Sequence, residues 1–315
     1  MNIVSIHSDM AEAIRREALR IGFHACGFAS AEHVEDNVCH GFKAWLESGY
    51  HSRMGYMGNY YDIRCDPSLL HKPVRTIISV ALNYFPSERQ ALNVPQFAVY
   101  TYGRDYHEVV KSKLNDLSRY IEAEWSGDNR ICCDTAPILE RYWAMKAGIG
   151  FIGKNTQLII PGAGSFFFLG EILTSLVLKP SPPLSGGCGH CTRCMDSCPA
   201  KALVKPRVLD ANRCISYQTI ENRGEIPDEI AECLGNRIYG CDTCQDVCPH
   251  NRFAKPTEVD EFRPCKDFLQ LDAGRLDTLT QEEYNRIFRH SAVKRAKYQG
   301  LLRNYKAWKL SLIHI

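Results

Sequence analysis

Eight cysteines between positions 188 and 248 have the spacing that most directly predicts chemistry in this chain. Four follow the pattern C-x2-C-x2-C-x3-C before Pro199, three repeat the end of that pattern before Pro249, and one lies between the groups. They are Cys188, Cys191, Cys194, Cys198, Cys214, Cys241, Cys244 and Cys248. Thiolates are soft ligands for iron and zinc. Eight of them make two sets of four, so the segment predicts two metal centres.

This spacing is the one by which bacterial ferredoxins hold two [4Fe-4S] clusters. Three close cysteines bind one cluster, and the cysteine before proline reaches across to the other cluster. The predicted sets are Cys188, Cys191, Cys194 and Cys248 for one cluster, and Cys198, Cys214, Cys241 and Cys244 for the second. Structural zinc sites usually join two C-x2-C pairs and have no use for a third close cysteine or a crossover. We therefore expect iron–sulfur clusters rather than zinc.

The size of the chain indicates a second, larger domain. It has 315 residues with 45% hydrophobic content, whereas a ferredoxin-like module needs only about 70 residues. No stretch approaches the roughly 18 apolar residues of a membrane span. Arg15 and Arg16 lie in an amphipathic helical pattern with no apolar segment after it, unlike a twin-arginine leader. The remaining cysteines show no disulfide spacing, which predicts reduced thiols in the cytoplasm.

Positive charge is concentrated near the C-terminus, although the formal net charge is only +2. This net charge does not indicate nucleic-acid binding, so the distribution of the charges along the chain is more informative. The basic residues near the end are Arg286, Arg289, Lys294, Arg295, Lys297, Arg303, Lys306 and Lys309. Two interpretations stay open: a solvated helix face, or a surface that binds phosphate groups.

Three regions follow from the periodicity and from the turn-forming residues. Residues 1–180 alternate helical and strand patterns, which indicates an α/β or α+β fold. Helices are predicted at 9–21, 39–48, 105–124 and 137–147, and strands at 74–82, 157–160 and 166–178. A linker rich in proline and glycine leads into the cysteine module, 181–255. A largely helical tail is predicted for 256–315.

Two partial motifs are rejected on their context. Residues 148–154 satisfy G-x4-G-K, but a phosphate loop needs a serine or threonine next, a strand before it and a helix after it. The order predicted here is the reverse, and Gly148 is interpreted as the left-handed residue that ends the 137–147 helix. Asp105 and His107 match the start of the D-x-H-x-x-G signature that binds cobalt through histidine, but position 110 is Val110. A corrinoid in this chain would therefore bind in another way.

Asp134 lies at the predicted junction of the apolar stretch 131–133 and a helix, just before Pro137. One interpretation is that Asp134 or Thr135 caps that helix. The other is a partly desolvated carboxyl whose raised pKa lets it act as a general acid near neutral pH.

Other polar residues near Asp134 in the sequence are candidates for the same pocket. Glu140, Arg141, Lys146 and Lys154 could bind acidic cofactor groups or could be ordinary surface charges. Tyr106 and His107 could supply polar contacts, or could form a buried pair whose hydrogen bonds are satisfied.

Five strings of residues together resemble the epoxyqueuosine reductases, the iron–sulfur and cobalamin enzymes of the last step in making queuosine on tRNA. The strings are 102–107, 134–141, 146–156, 214–221 and 239–245, and the resemblance covers roughly residues 10–304. It implies a catalytic cobalamin-binding domain, 1–180, similar to flavin-reductase-like and cobalamin-processing folds, followed by the ferredoxin module. The family continues past Arg303 and Asn304 into helical repeats that help to grip tRNA. We therefore interpret 256–315 as the start of a truncated tRNA-binding repeat region.

The resemblance implies the reduction of epoxyqueuosine to queuosine at the wobble position of tRNA. The clusters would relay the two electrons of the reaction one at a time to the cobalt centre, where one electron reduces base-off cob(II)alamin to nucleophilic cob(I)alamin, and the epoxide oxygen would leave as water. Asp134 matches the acid of the family and would protonate that oxygen, an effect of about 100- to 10,000-fold. Implied cofactor contacts are Tyr106, His107, Glu140, Arg141, Lys154, Asn155, Ser216 and Gln218.

The expected partners are a tRNA anticodon stem-loop and an electron donor such as a flavodoxin or ferredoxin system, for a monomer without membrane attachment. The leading candidates for phosphate contacts are Arg286, Arg289, Lys294, Arg295 and Lys297. Two other functions stay open. A corrinoid reductive dehalogenase should carry a twin-arginine leader, and a ferredoxin-type electron-transfer protein without enzymatic activity should not bind cobalamin tightly.

Overall fold

A computed structural model describes residues 3–311 of the protein, with side chains from residue 7 onward. The strands are β1 (Ala25–Ser30), β2 (Thr76–Asn83), β3 (Gln96–Phe97), β4 (Asn129–Cys132), β5 (Phe151–Ile152), β6 (Leu158–Ile159), β7 (Phe167–Thr174), β8 (Leu203–Lys205), β9 (Val208–Leu209) and β10 (Arg237–Tyr239). The helices are α1 (Ile3–Ile21), α2 (Asp36–Glu47), α3 (Tyr61–Cys65), α4 (Pro67–Leu70), α5 (Tyr106–Trp125), α6 (Glu140–Lys146), α7 (Arg193–Asp196), α8 (Ile215–Ile220), α9 (Asp228–Ala231), α10 (Thr243–Asp246), α11 (Lys266–Leu269), α12 (Ala273–Asp277), α13 (Gln281–Ile287) and α14 (Lys297–Ser311). Short 3-10 helices are Gly55–Met57, Val99–Thr101, Pro249–Phe253, Asp260–Phe262 and Ala292–Ala296.

Four antiparallel strands form the central sheet in the order β1-β2-β7-β4. Strand β2 is buried at every position except Asn83, as its run of aliphatic and β-branched residues favours. It pairs along its full length with β7, from Thr76 opposite Thr174 to Asn83 opposite Phe167. The mixed helix and strand content agrees with the predicted α/β or α+β class.

The two faces of the sheet pack against different helices. Ile78 and alternate residues of the strands face α1 and α5, whereas Ile77 and its neighbours on the same face pack against α6. Helix α6 approaches closely at Gly27, where a Cβ atom would lie 2.0 Å from the carbonyl oxygen of Ala147. Any larger side chain at Gly27 would therefore push α6 away from the sheet.

The cysteine module and the tail pack onto the larger domain. Strand β10 pairs in parallel with β3, with Arg237 opposite Gln96. One buried hydrophobic cluster contains residues from all three predicted regions, among them Ala11, Ile238 and Trp308. The packing is thus continuous, and the boundaries near 180 and 255 remain predictions.

Two consecutive residues of α14 attach the tail to the cysteine module. Asn304 is fully buried and donates from Nδ2 to the carbonyl oxygens of Thr219 at 2.7 Å and Ile238 at 2.9 Å. Arg303 donates to three carbonyl oxygens in and just after α8, at 2.6–2.9 Å. The tail is therefore held to the segments that carry Cys214 and Cys241.

Most predicted elements are present, with shifted ends. The predicted helix at 9–21 begins earlier, at Ile3, and the one at 137–147 begins later, at Glu140. Gly148 follows α6 with φ +71°, as predicted for the residue that ends a helix. Helix α6 precedes the G-x4-G-K segment and β5 lies within it, so the order of elements that argued against a phosphate loop is confirmed. Within residues 3–311, no helix combines the length and the apolar character needed to cross a membrane.

Candidate active site and iron–sulfur sites

Asp134 follows β4 with its backbone in the left-handed region, at φ +59°. Aspartate tolerates this conformation better than most residues. The backbone N–H of Asp134 donates to the carboxylate of Glu140. Helix α6 begins at Glu140 and has no side-chain cap, so the interpretation of Asp134 or Thr135 as a helix cap is wrong. The chain makes a turn at 133–139 instead, and this turn presents the Asp134 side chain, which is 53% exposed.

His107 joins Asp134 to Asp105 in one hydrogen-bonded chain. The Nε2 atom of His107 lies 2.9 Å from Oδ2 of Asp134, and its Nδ1 atom lies 2.7 Å from Oδ1 of Asp105. Asp105 also caps α5, because its carboxylate accepts from the backbone N–H of His107 at 3.0 Å. The start of α5 thereby fixes the imidazole against the turn that carries Asp134.

The two carboxylates change the protonation of the site. Burial alone would lower the pKa of His107, but its hydrogen bonds to Asp105 and Asp134 raise the pKa to about 9. Burial likewise raises the pKa of Asp134, yet hydrogen bonding to His107 and the charge of its ring outweigh this and hold the pKa below its usual value. The raised pKa predicted for Asp134 is therefore wrong. At neutral pH the proton lies on His107, next to an ionised Asp134.

Tyr106 supports the imidazole from the side of the sheet. Its ring stacks on His107 and on Phe168 of β7, with ring centroids 4.1 and 4.4 Å apart. Its hydroxyl interacts with the Asp134 carboxylate and helps to lower the pKa of that group. Tyr106 and His107 are thus partly buried with satisfied polar groups, and they also form part of the Asp134 site.

Residues from two other segments border Asp134. Arg295 forms two hydrogen bonds of 2.8 Å with the Glu221 carboxylate, and its charge contributes to the lowered pKa of Asp134. Tyr56, which is 45% exposed, interacts with Arg295. The exposed carboxyl is therefore bordered by chain segments far apart in sequence, as expected of a site that contacts a bound molecule.

The structure brings each predicted cysteine set together. Cys188, Cys191, Cys194 and Cys248 line one cavity of about 50 Å³, together with Pro249 and His250. In the second set, the thiol of Cys244 interacts with those of Cys198, Cys214 and Cys241. Backbone N–H groups also point at sulfur: Lys154 N lies 3.4 Å from Cys188 Sγ, and Ala202 N lies 3.2 Å from Cys198 Sγ. Such donors stabilise the thiolate form that binds iron.

Lys154 and Asn155 contact the cysteine loops. The ammonium group of Lys154 donates to the carbonyl oxygens of Gly189 at 2.8 Å and Cys191 at 2.9 Å. Asn155 donates to the carbonyl oxygen of Cys244 at 3.2 Å and lines the first cavity. Their side chains thus brace both loops, and their contact with a separate cofactor remains a prediction.

The other predicted cofactor residues lie on α6 and α8. Arg141, which follows Glu140 on α6, donates to the carbonyl oxygen of Thr156 at 2.6 Å. Lys146 of the same helix pairs with Glu35 at 2.8 Å. Ser216 and Gln218 lie on α8. Gln218 borders a pocket of about 190 Å³, and the backbone of Ser216 interacts with the Cys214 thiol.

The five predicted phosphate contacts are all exposed, but they are not equivalent. Arg286 pairs with Asp267, and Arg295 pairs with Glu221. Arg289, Lys294 and Lys297 have no ion pair with a described residue. Lys294 also lies near enough to Asp105 for its charge to lower the pKa of that carboxyl. These three cations are therefore the ones best placed to meet an added anion.

Matches to family models agree with this geometry. A model of the 4Fe-4S double cluster binding domain matches residues 187–251. The module is therefore an iron–sulfur domain rather than a zinc domain. A second model, described as epoxyqueuosine reductase QueG, DUF1730, matches residues 64–135.

Whole-chain comparisons identify the family. Epoxyqueuosine reductase of Cellulophaga algicola is 42% identical over 305 residues, which cover 96% of this chain and 98% of that one. The Escherichia coli enzyme is 37% identical over 304 residues, or 94% of this chain and 80% of that one. A crystal structure of epoxyqueuosine reductase with an epoxyqueuosine-modified tRNA-Tyr stem loop has a TM-score of 0.88 and 31% identity, covering 95% of this chain and 80% of that one. This chain belongs to the epoxyqueuosine reductase family.

Sequence reasoning missed several residues of the site. The role of Asp105 could have been predicted from the sequence, because an aspartate two residues before a histidine at the start of a helix is placed to cap the helix and orient the imidazole ring. The sequence indicates the role of Tyr56 only weakly, through an aromatic residue next to Gly55 in a turn.

Proposed function

We propose that this protein reduces epoxyqueuosine to queuosine at the wobble position of tRNA. The support is its membership of the epoxyqueuosine reductase family and a related enzyme solved with an epoxyqueuosine-modified stem loop. Another related structure is of the Bacillus subtilis enzyme with its Asp134 catalytic loop swung out of the active site; it is 31% identical, with a TM-score of 0.87, and covers 95% of this chain and 81% of that one. In this chain, the turn at 133–139, which carries Asp134, is the candidate for the corresponding catalytic loop.

The hydrogen-bonded chain from Asp105 through His107 to Asp134 carries this proposal. Converting an epoxide to an alkene consumes two electrons and two protons, and the oxygen leaves as water. The opening C–O bond would leave an alkoxide, which departs readily only when it is protonated. The proton held between His107 Nε2 and Asp134 Oδ2 reaches that oxygen from the exposed carboxyl of Asp134. Asp105 keeps the imidazole oriented during the transfer.

The residues present fit a cobalamin that receives no histidine ligand from this site. Both ring nitrogens of His107 are engaged by carboxylates, so its imidazole is not free to bind cobalt. The pocket bordered by Ser52, Arg53 and Gln218 offers donors and acceptors for the amide groups of a corrin rim. Tyr106, His107, Glu140, Arg141, Ser216 and Gln218 would contact the cofactor. Bound cobalamin would supply a cobalt centre that becomes strongly nucleophilic on reduction.

The two cysteine sets would hold the [4Fe-4S] clusters in the crossed arrangement. Cys188, Cys191, Cys194 and Cys248 would bind the first cluster, and Cys198, Cys214, Cys241 and Cys244 would bind the second. Clusters of this type transfer one electron at a time. Lys154 and Asn155 would keep the two cysteine loops at a fixed separation, since each donates to a loop carbonyl.

The wobble base must leave its stack to reach the bound cofactor, because a base within a stacked loop is inaccessible to a buried cofactor. Phosphate contacts would hold the stem-loop meanwhile. Arg289, Lys294 and Lys297 are the leading contacts, with Arg286 and Arg295 available if their ion pairs open. We also propose a cytoplasmic monomer that receives electrons from a flavodoxin or ferredoxin system. Its cysteines are free thiols, as is usual in a reducing compartment.

A turnover assay tests the proposed function. The anaerobically reconstituted protein, loaded with cobalamin, is mixed with dithionite and an epoxyqueuosine-containing stem-loop, and the nucleosides are analysed by mass spectrometry. We expect the substrate nucleoside to lose one oxygen atom. A parallel reaction with a halogenated phenol tests the dehalogenase alternative. Halide release without conversion of epoxyqueuosine would contradict the proposal.

A further inference from the structure

A buried polar cluster lies beneath α6, between this helix and the sheet. Its members are Ser79 of β2, Glu171 of β7 and Trp143 of α6, whose exposed fractions are 0%, 0% and 1%. Ser79 and Glu171 are directly opposite each other in the strand register. Ser79 Oγ, Trp143 Nε1 and both carboxyl oxygens of Glu171 have no hydrogen-bond partner among the described residues. Buried polar groups are rarely left in this state, so we expect ordered water among them.

Glu140 is the acid that faces Glu171. The two carboxyl groups are close enough to interact electrostatically and to share a hydrogen bond when one of them is protonated, although neither oxygen of Glu171 has a geometric hydrogen-bond partner among the described residues. Burial raises the pKa of Glu171 well above its usual value, and burial raises the pKa of Glu140 to about 7. Two neighbouring acids of this kind hold a proton at neutral pH.

Buried thiols and charged groups surround the two acids. Cys132 of β4 is opposite Glu171 in the strand register. The charge of Glu171 also acts on the thiol of Cys133, and burial raises the pKa values of both thiols. The groups that face Glu140 are Asp134, Arg141 and His107. The Glu140 carboxylate accepts the backbone N–H of Asp134. Glu140 therefore lies between the buried acid and the exposed one.

We propose that Glu171 and Glu140 form a proton store that recharges the His107–Asp134 pair during turnover. This inference rests on the proposed function, in which each turnover uses two protons while the His107–Asp134 pair holds one. A carboxylic acid of the store becomes a carboxylate as its proton passes through Glu140 to Asp134. Solvent refills the store at Glu140, which is partly exposed. No electron moves in this step. The two electrons of the reaction come, one at a time, from the flavodoxin or ferredoxin system.

Infrared spectroscopy tests whether the store holds a proton. The C=O stretch of a neutral carboxylic acid shifts in heavy water and is separate from carboxylate bands. The parent protein should show this band at neutral pH, and Glu171→Gln, which keeps the size of the side chain, should lose the component that belongs to the store. The component of Asp242, another acid whose pKa burial raises to about 7, should remain. Ser79→Ala is the matched control, because it alters the same buried cluster without removing an acid. A parent protein without the band, or an unchanged band in Glu171→Gln, would overturn the inference.

Turnover of the loaded enzyme tests whether the stored proton is used. Glu171→Gln should lower turnover by about tenfold or more, increase the solvent deuterium isotope effect and alter the pH profile, whereas Ser79→Ala should not. If Glu171→Gln does not fold, Glu140→Gln at the partly exposed position serves for both measurements. Parental turnover, pH profile and isotope effect in the folded variant would overturn the proton store. The proposed function would survive that result, since it depends on conversion of epoxyqueuosine by the parent.

Discussion

The imidazole of His107 and the carboxyl of Asp134 are joined by one hydrogen bond of 2.9 Å between Nε2 and Oδ2. The two residues come from different elements, the first turn of α5 and the turn after β4. Because a single proton lies between them, they titrate as a pair rather than as two independent groups. Acid chemistry at this site therefore belongs to the pair, although only Asp134 is largely exposed.

Turnover should fall as pH rises through about 9, because His107 then loses the proton that the pair supplies. The folded pKa of His107 is raised from 6.5 to about 9. Its contribution to stability should be fully present below pH 6.5 and lost as pH rises through about 9. The measurements are kcat and the denaturation midpoint over a pH series. His107→Asn should lack both changes, and an identical alkaline limb in this variant would assign that limb to another group.

Asp134→Asn should reduce turnover by about 100- to 10,000-fold, because the amide cannot accept the proton of His107 and pass it to the leaving oxygen. Asparagine also tolerates the left-handed backbone of this position, so folding, iron content and cobalamin binding should persist. Single-turnover conversion of epoxyqueuosine is the measurement. Thr135→Ala is a control in the same turn and should stay near parental activity. Near-parental turnover of Asp134→Asn would remove it from the acid role.

Cys198→Ser should damage the cluster that Cys241 and Cys244 help to hold, even though Cys198 follows Cys194 closely in sequence. The reason is that its thiol lies with those of Cys214 and Cys244 in the folded chain. Iron analysis and electron paramagnetic resonance should show one cluster altered and the other largely intact. Cys233→Ser is the control outside both sets. Loss confined to the Cys188, Cys191 and Cys194 cluster would refute the crossed assignment.

Lys294→Ala should weaken tRNA binding in a salt-dependent way. If Lys294 meets a phosphate, its removal should reduce the slope of log affinity against log salt by about 0.7 to 0.9. Titration of the stem-loop at several salt concentrations gives this slope. Arg16→Ala on α1 removes the same charge from an exposed site outside the basic segment and should leave the slope unchanged. Equal slopes for Lys294→Ala and the parent would make the segment around Lys294 a solvated face.

Asn304→Ala should lower the free energy of unfolding by about 2 to 4 kcal/mol, because two buried carbonyl oxygens lose their donor. These are the carbonyl oxygens of Thr219 and Ile238. Chemical denaturation of the reconstituted protein is the measurement. Lys306→Ala, an exposed change on the same helix, should stay within about 0.5 kcal/mol of the parent. A similarly small effect for Asn304→Ala would mean that water replaces the amide.

The cysteine spacing predicted both thiol sets because ligand geometry is encoded in short stretches of chain. Two C-x2-C-x3-C runs are enough to predict that the last cysteine of each run joins the thiol set of the other run. The central strand β2 was equally readable, since 76–83 is rich in aliphatic residues of the kind that fill the middle of a sheet. Local patterns thus predicted the elements, with errors at their ends.

The protonation of Asp134 could not be predicted in the same way. Its environment depends on His107, which lies far away in sequence and reaches Asp134 only after β4 and α5 have packed. Desolvation alone favoured a raised pKa, and the imidazole reversed the sign. The ion pair of Arg295 could not be predicted either, because Arg295 reaches Glu221 only when the tail packs against the segment after α8.

The cavity formed by Cys188, Cys191, Cys194 and Cys248 has a consequence for biosynthesis. Its first three thiols leave the ribosome together, but the fourth leaves only after the whole module has been translated. During that interval the chain holds an incomplete set of ligands and must keep three thiols reduced without metal. Closing the loop from 188 to 248 costs chain entropy that iron binding can offset. With the proposed ligand sets, maturation of the first cluster would therefore be a late event on the nascent chain, after every proposed ligand of the second cluster has emerged.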